Sequence, residues 1–323
     1  MIEFDRIKHR LHILFKIAFL IGVIGLPARV SATPLFSASA GAGQNNDSQT
    51  NNSGVTAGAS YNREREWGIE QSAGLAYADT GRMGAFGSAS VQPQLYEYDQ
   101  GLFGYGRLTS SGGGSALIRF DDIVFSGAVN GASSALVSTN IFIEGILNAS
   151  GSSFGRGLSS ANVSVSYGLG VPGPGSTAVL QTIGTDSYGY NNGTFSSSTS
   201  GIFSVLQPTE AQGFSRFFES PTFEVPLNTP VSLGIQLAAS ASVSTQDGGN
   251  MSALADFSHS LILGHGEPVF VLPDGVTANS VGAGIVNNRI PSQLTVPIPP
   301  AGGLLASALT ALISLSASRR KMT

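Results

Sequence analysis

Few side chains in this chain carry catalytic chemistry, and spacing is the first test of each. Gly151-Ser152-Ser153-Phe154-Gly155 matches G-x-S-x-G, which sets a serine nucleophile on a strand-to-helix elbow. With 42 Gly and 45 Ser in 323 residues, about one such match arises by chance, and no helical pattern follows it. Ser153 is therefore not read as a nucleophile. His259 and His265 are the only histidines after residue 32. His259 falls in phase with Phe257 and Leu261, which places it on an inner face or at a sheet edge. His265 lies in a Gly264–Gly266 turn near Glu267. The two could share a metal only if the chain bent back, so both read as structural. Asp121 and Asp122 are adjacent on a strand pattern, where neighbours face opposite sides. They are not expected to pair as carboxylates; one should accept a hydrogen bond or meet an arginine. Glu144, Glu219 and Glu224 would need to converge to form a glycosidase pair. Asp247 or Asp274 could offer oxygens to calcium, but neither loop has dense carboxylate spacing. Trp67 ends the run Arg63-Glu64-Arg65-Glu66-Trp67. The run reads as a solvated strand face. An exposed Trp there could stack on sugar, although burial is the commoner fate of a lone Trp. No catalytic residue, metal site or cofactor is assigned.

Composition narrows the classes further. The chain has no cysteine, which removes disulfide frameworks, thiolate metal sites and a cysteine nucleophile. A chain of this length can bury a core large enough to fold without them. Between residues 33 and 295 there are eight Arg, no Lys and 18 acidic residues, a net charge of −10. That balance, without a basic cluster, excludes nucleic acid as a partner class. Hydrophobic residues make up 41% of the chain, enough for a fold despite the abundance of Ser, Gly, Thr and Asn.

The ends differ from the middle. Arg6, Lys8, Arg10 and Lys16 precede an unbroken apolar run over residues 17–26, and Pro27 follows it. Val30 and Ala32, flanking Ser31, present small residues to a signal peptidase. The apolar run is about half of the roughly 20 residues a membrane span needs. Residues 1–32 therefore read as a signal peptide cleaved after Ala32, not an uncleaved anchor, with export through the Sec translocon. At the other end, Val296, Pro297, Ile298, Pro299, Pro300, Ala301 and Gly302 form a helix-incompatible stretch. An apolar segment over 303–317 follows, then Arg319, Arg320 and Lys321. A mildly apolar helix with that basic end should insert with the end in the cytoplasm. Ser307, Thr310, Ser314 and Ser316 weaken the span, which suits a segment held briefly. The competing readings are a permanent tail anchor and a buried terminal helix.

This tail resembles the VPLPA-type variant of the PEP-CTERM sorting signal. The matching residues are Val296, Pro297, Ile298, Pro299, Ala301 and Gly302, then the apolar helix, then Arg319 and Arg320. Pro300, where the family more often has Ala, the Ser-rich helix and Met322-Thr323 depart from the pattern. The match covers about the last 28 residues. The resemblance implies export, transient inner-membrane anchoring, cleavage near the Pro motif by an exosortase-like membrane protease, and release or attachment at the outer surface. It also implies bacteria that make exopolysaccharide.

The middle reads as all-β. Residues 33–60 are low in complexity and are expected to be a flexible lead-in or irregular edge. From 61 to 295, period-2 alternation dominates. It is clearest over 231–243, and after a Gly-rich turn it resumes from Met251 to Leu263, which predicts a long antiparallel hairpin. Further strands are predicted over 116–125, 136–147, 162–168, 178–183, 195–206, 217–225 and 268–272. Turns are predicted at 110–114, 171–175 and 191–193. No internal repeat is visible. The expected domain is an antiparallel β-sandwich, jelly-roll-like, between a signal-peptide helix and a C-terminal hydrophobic helix. The function expected is a non-enzymatic surface or matrix protein, exopolysaccharide-associated. The alternative is a carbohydrate-binding module or carbohydrate-active enzyme on a sandwich scaffold.

Overall fold

A computed structural model describes residues 33–127, 131–152, 156–170, 180–192, 194–203, 211–246 and 248–291. Among them there are strands and turns but no helix. In chain order the strands are β1 (Leu35–Ala42), β2 (Asn45–Asn51), β3 (Val55–Arg65), β4 (Gly68–Asp79), β5 (Arg82–Pro93) and β6 (Leu95–Asp99). Next come β7 (Leu102–Tyr105), β8 (Leu108–Gly127), β9 (Ser134–Gly151), β10 (Gly157–Gly170), β11 (Gln181–Asn191) and β12 (Thr194–Gly201). The last are β13 (Ala211–Glu219), β14 (Phe223–Pro226), β15 (Pro230–Thr245), β16 (Met251–Leu263), β17 (Phe270–Val271) and β18 (Val276–Asn279).

Two large antiparallel sheets hold most of them. The first has the order β12-β11-β10-β15-β8-β1-β2, with β18 also on β8. The second has the order β13-β9-β16-β5-β4-β3, with β14 and β17 also on β9. The sheets pack face to face through β4 and β5 against β8, an arrangement consistent with a β-sandwich. β6 and β7 form a separate two-stranded hairpin.

Alternation explains which residues enter the space between the sheets. Along β4 the pattern is strictly buried then half-buried from Gly68 to Ala78. One end of the core is wide, filled by Phe36, Phe120, Phe125 and Phe270. Further along, the core is lined by Ala and Gly, and beyond them it closes on Leu108, Val91, Val243 and Met251. A Cβ on Gly114 would lie 2.0 Å from the Leu75 carbonyl oxygen, and one on Gly74 would lie 2.2 Å from that of Gly113. The backbones of the two sheets thus touch where the glycines lie. Gly112, Gly113 and Gly114, expected in a turn, are inside the 20-residue β8 for this reason.

Three other expectations are corrected. Residues 33–60 are not a loose lead-in: they form β1, β2 and half of β3, with Phe36, Ala38 and Ala57 fully buried. Polar composition hid the alternation of Leu35-Phe36-Ser37-Ala38-Ser39-Ala40. The 231–243 and 251–263 segments do not pair as a hairpin. β15 pairs with β10 and β8, whereas β16 pairs with β9 and β5. Alternation identifies a strand's buried face but not its hydrogen-bond partner. Leu237, Ala239 and Ala241 of β15 and Met251, Ala253 and Ala255 of β16 all bury their side chains in the one core. The expected strand over 217–225 is two strands broken around Pro221, both laid on β9. At the predicted turn, Asn192 has φ 46° and β11 pairs antiparallel with β12; Gly193 lies outside the described residues. The expected terminal helices lie outside the described residues.

Candidate functional site

A groove of about 710 Å³ crosses the outer face of the first sheet at one end. Its floor follows from register. Gly189, Ser160, Ser242 and Ser111 are successive cross-strand partners on β11, β10, β15 and β8. Asn191, Leu158, Ser244 and Thr109 form the next row two residues along each strand. Hydroxyl-bearing residues thus recur at the strand spacing of about 4.8 Å. The Ser160 and Ser242 hydroxyls lie 2.9 Å apart.

The wall comes from β3. On a strand, residues two apart share a face. Val55, Ala57, Ala59, Tyr61, Arg63 and Arg65 are therefore one row, buried at its start and open at its end. Beyond the β1–β2 turn that row looks over the groove. Gly43 sits in this turn at φ 57°, where a Cβ would be strained and would strike the Tyr61 ring at 2.5 Å. The chain turns there because Gly lets it, and Tyr61 closes over the turn.

Charge in the groove is set by three side chains: Arg63, Arg65 and Glu70. Glu70 is only 4% exposed. It accepts the Thr109 N–H at 3.2 Å, and its other oxygen is 3.5 Å from Arg65 Nε. Arg65 Nε is buried without a hydrogen bond. The Arg65 guanidinium lies 5.2 Å from the Trp67 ring centroid. Arg63 is exposed and forms no ion pair among the described residues. The run Arg63-Glu64-Arg65-Glu66 is thus more than a solvated face. Its alternation sends both arginines towards the groove, the one signal in the sequence that could have found it.

The described residues singled out for chemistry lie outside the groove and do not come together. Trp67 is partly buried, and its ring is enclosed by Arg65, by Tyr96 at 5.6 Å, and by Gly106, where a Cβ would reach 2.2 Å from the ring. It anchors the β6–β7 hairpin and offers no open sugar platform. Asp121 and Asp122 sit at a β-bulge, opposite Ser232 alone. The bulge resets the phase, so Phe120 and Ile123 are both buried and both aspartates are half-buried outside the core. The opposite-face expectation fails there. Asp121 accepts from Arg119 Nε at 2.8 Å and from the Ser232 hydroxyl at 2.6 Å. Asp122 accepts from the Ser280 hydroxyl at 2.6 Å and the Gly282 N–H at 2.7 Å. Each has its own donors.

Glu144, Glu219 and Glu224 occupy positions on or opposite β9 residues 144, 140 and 136. Four residues of strand span about 13 Å, beyond the roughly 5–9.5 Å of glycosidase pairs. Glu219 accepts from the Ser138 hydroxyl, and Glu224 accepts from the Ser134 hydroxyl at 2.6 Å. The His265 ring stacks on Phe142 at 4.2 Å, with φ 37° in its turn. His259 falls where the register of β16 breaks, between Phe257 and Leu261. Among the described residues no three His, Asp or Glu side chains cluster as metal ligands, and Asp274 is exposed. Ser153, Asp247, the Val30–Ala32 cleavage site, Val296–Gly302 and Arg319–Lys321 lie outside the described residues.

Comparison with known protein families, curated proteins and solved structures finds no match for this chain.

Proposed function

We propose that this chain is an exported, non-enzymatic surface or extracellular-matrix protein whose β-sandwich domain associates with exopolysaccharide. A signal peptide (1–32) takes it to the Sec translocon and signal peptidase. A C-terminal sorting segment (296–323) holds it briefly in the inner membrane until an exosortase-like protease frees the domain. The end signals supply the delivery half of this reading. The hydroxyl-floored groove supports the other half. A pocket for an apolar cofactor is lined mostly by hydrophobic and aromatic side chains; this one is lined mainly by Ser, Thr, Asn, Gln, Tyr, Arg and Gly, with Leu158 and Val243 as its aliphatic members. A polyhydroxylated ligand exchanges its water hydrogen bonds for equivalent ones on such a surface, so its desolvation is offset.

The alternative, a carbohydrate-active enzyme on the same scaffold, needs two carboxylates within reach of one glycosidic bond. The spacing along β9 favours binding over hydrolysis. Co-sedimentation tests the reading. Protein recovered from outside the producing cell should pellet with that cell's own exopolysaccharide. Protein that stays in the supernatant at every polysaccharide concentration contradicts it.

A further inference from the structure

We infer that the groove selects an acidic glycan, a chain with carboxylate-bearing sugars spaced along it, with Arg63 as the carboxylate-binding group and Arg65 adding positive charge beside it; the inference rests on the glycan reading above. The β domain carries −10 overall from eight Arg and 18 acidic residues. Two of those eight arginines nevertheless line this one groove, against a single carboxylate there, Glu70, which is already buried beside Arg65. Arg63 and Arg65 stand two residues apart on one strand face, about 6.6 Å along β3. A guanidinium binds a carboxylate through paired, charge-assisted hydrogen bonds. Arg63 is exposed and forms no ion pair among the described residues, so its donors are open to a ligand, whereas Arg65, held between Glu70 and Trp67 with its Nε buried, adds positive charge beside it.

Density of charge then decides between anions. A nucleic acid carries a phosphate at every residue and needs many cations to offset it. Two arginines on a domain of −10 do not supply them. Carboxylates spaced along a sugar chain need only local pairing, and the hydroxyl rows of the floor meet the uncharged part of each ring. The second sheet provides an internal comparison. Ser90, Ser252 and Ser150 form a similar cross-strand row beside a smaller groove of about 270 Å³. No arginine lines that groove. The cationic wall, not the serine floor, separates the two.

Affinity electrophoresis of the exported protein tests this, with hyaluronan, which carries a carboxylate on every second sugar, as the acidic glycan, dextran as the neutral one and single-stranded DNA as a dense polyanion. The expected result is retardation by hyaluronan alone, weakened at least tenfold by Arg63→Gln and unchanged by Ser252→Asp on the other face. Arg63 is exposed, so its replacement leaves the fold intact, and an unaltered melting temperature verifies that. Unchanged retardation of Arg63→Gln overturns the inference. Equal retardation by dextran overturns acidity as the selected feature while leaving glycan association standing. Stronger retention by DNA overturns the inference as well, and so does mobility unaffected by either glycan, while the glycan reading itself stands or falls with the co-sedimentation.

Discussion

Tyr77 illustrates how far one side chain's surroundings can set a property of the domain. Burial pushes its phenol up from 10.0 to about 12, with Asp79 adding to the rise and Arg82 opposing it. Tyr167 is shifted in the same direction by complete burial, against hydrogen bonds from Thr139 and Ser220. A raised phenol pKa means that the folded state holds its proton more tightly than the unfolded chain. The stabilisation is complete below pH 10 and is lost as the pH climbs through 12. Residues 33–295 contain no Lys or Cys, so tyrosine dominates titration in that window. The urea midpoint should hold steady to about pH 10 and then fall, and in Tyr77→Phe the fall should be smaller. At this scale the sequence was half legible. The Arg63-Glu64-Arg65-Glu66 alternation states a two-faced strand, but which face meets a groove depends on where β1 turns back at Gly43. The burial of Tyr77 and Tyr167 likewise depends on neighbours far along the chain.

Among the elements, β8 organises the first sheet. It pairs with β1, β15 and β18, and its glycines touch the second sheet. Gly114→Val should cost about 3 kcal/mol, because its Cβ would lie 2.0 Å from a backbone carbonyl that cannot move aside. Gly58→Ala on β3 is the control: its Cβ would meet Leu75 Cδ1 at an ordinary 3.7 Å. The denaturation midpoint should fall steeply for the first and change little for the second. Strand existence was readable from alternation in β15, β16 and β9. Strand pairing was not, since facing strands and neighbouring strands share the same period-2 signature. A Ser-Ser-Gly-Gly-Gly run reads as a turn until the second sheet's backbone is known to press on it. The bulge at Asp121–Asp122 shows the same limit: the two aspartates are visible in the sequence, but the phase reset they mark is not.

For the whole domain, the core narrows from a phenylalanine-filled end to a glycine- and alanine-lined waist and closes beyond it on Leu108, Val91, Val243 and Met251, and the groove opens on the outer surface past that waist. Such a domain holds itself together by burial and sheet hydrogen bonding, with no disulfide to form. Delivery by two terminal signals is the claim on which the functional account stands. Its most direct test is the intact mass of the protein recovered outside the producing cell. The account predicts a chain beginning at Thr33 and ending within or just before Val296–Gly302, without Arg319, Arg320 and Lys321. A recovered protein that still carries residues 1–32, or that still ends in Arg319-Arg320-Lys321-Met322-Thr323, would contradict it.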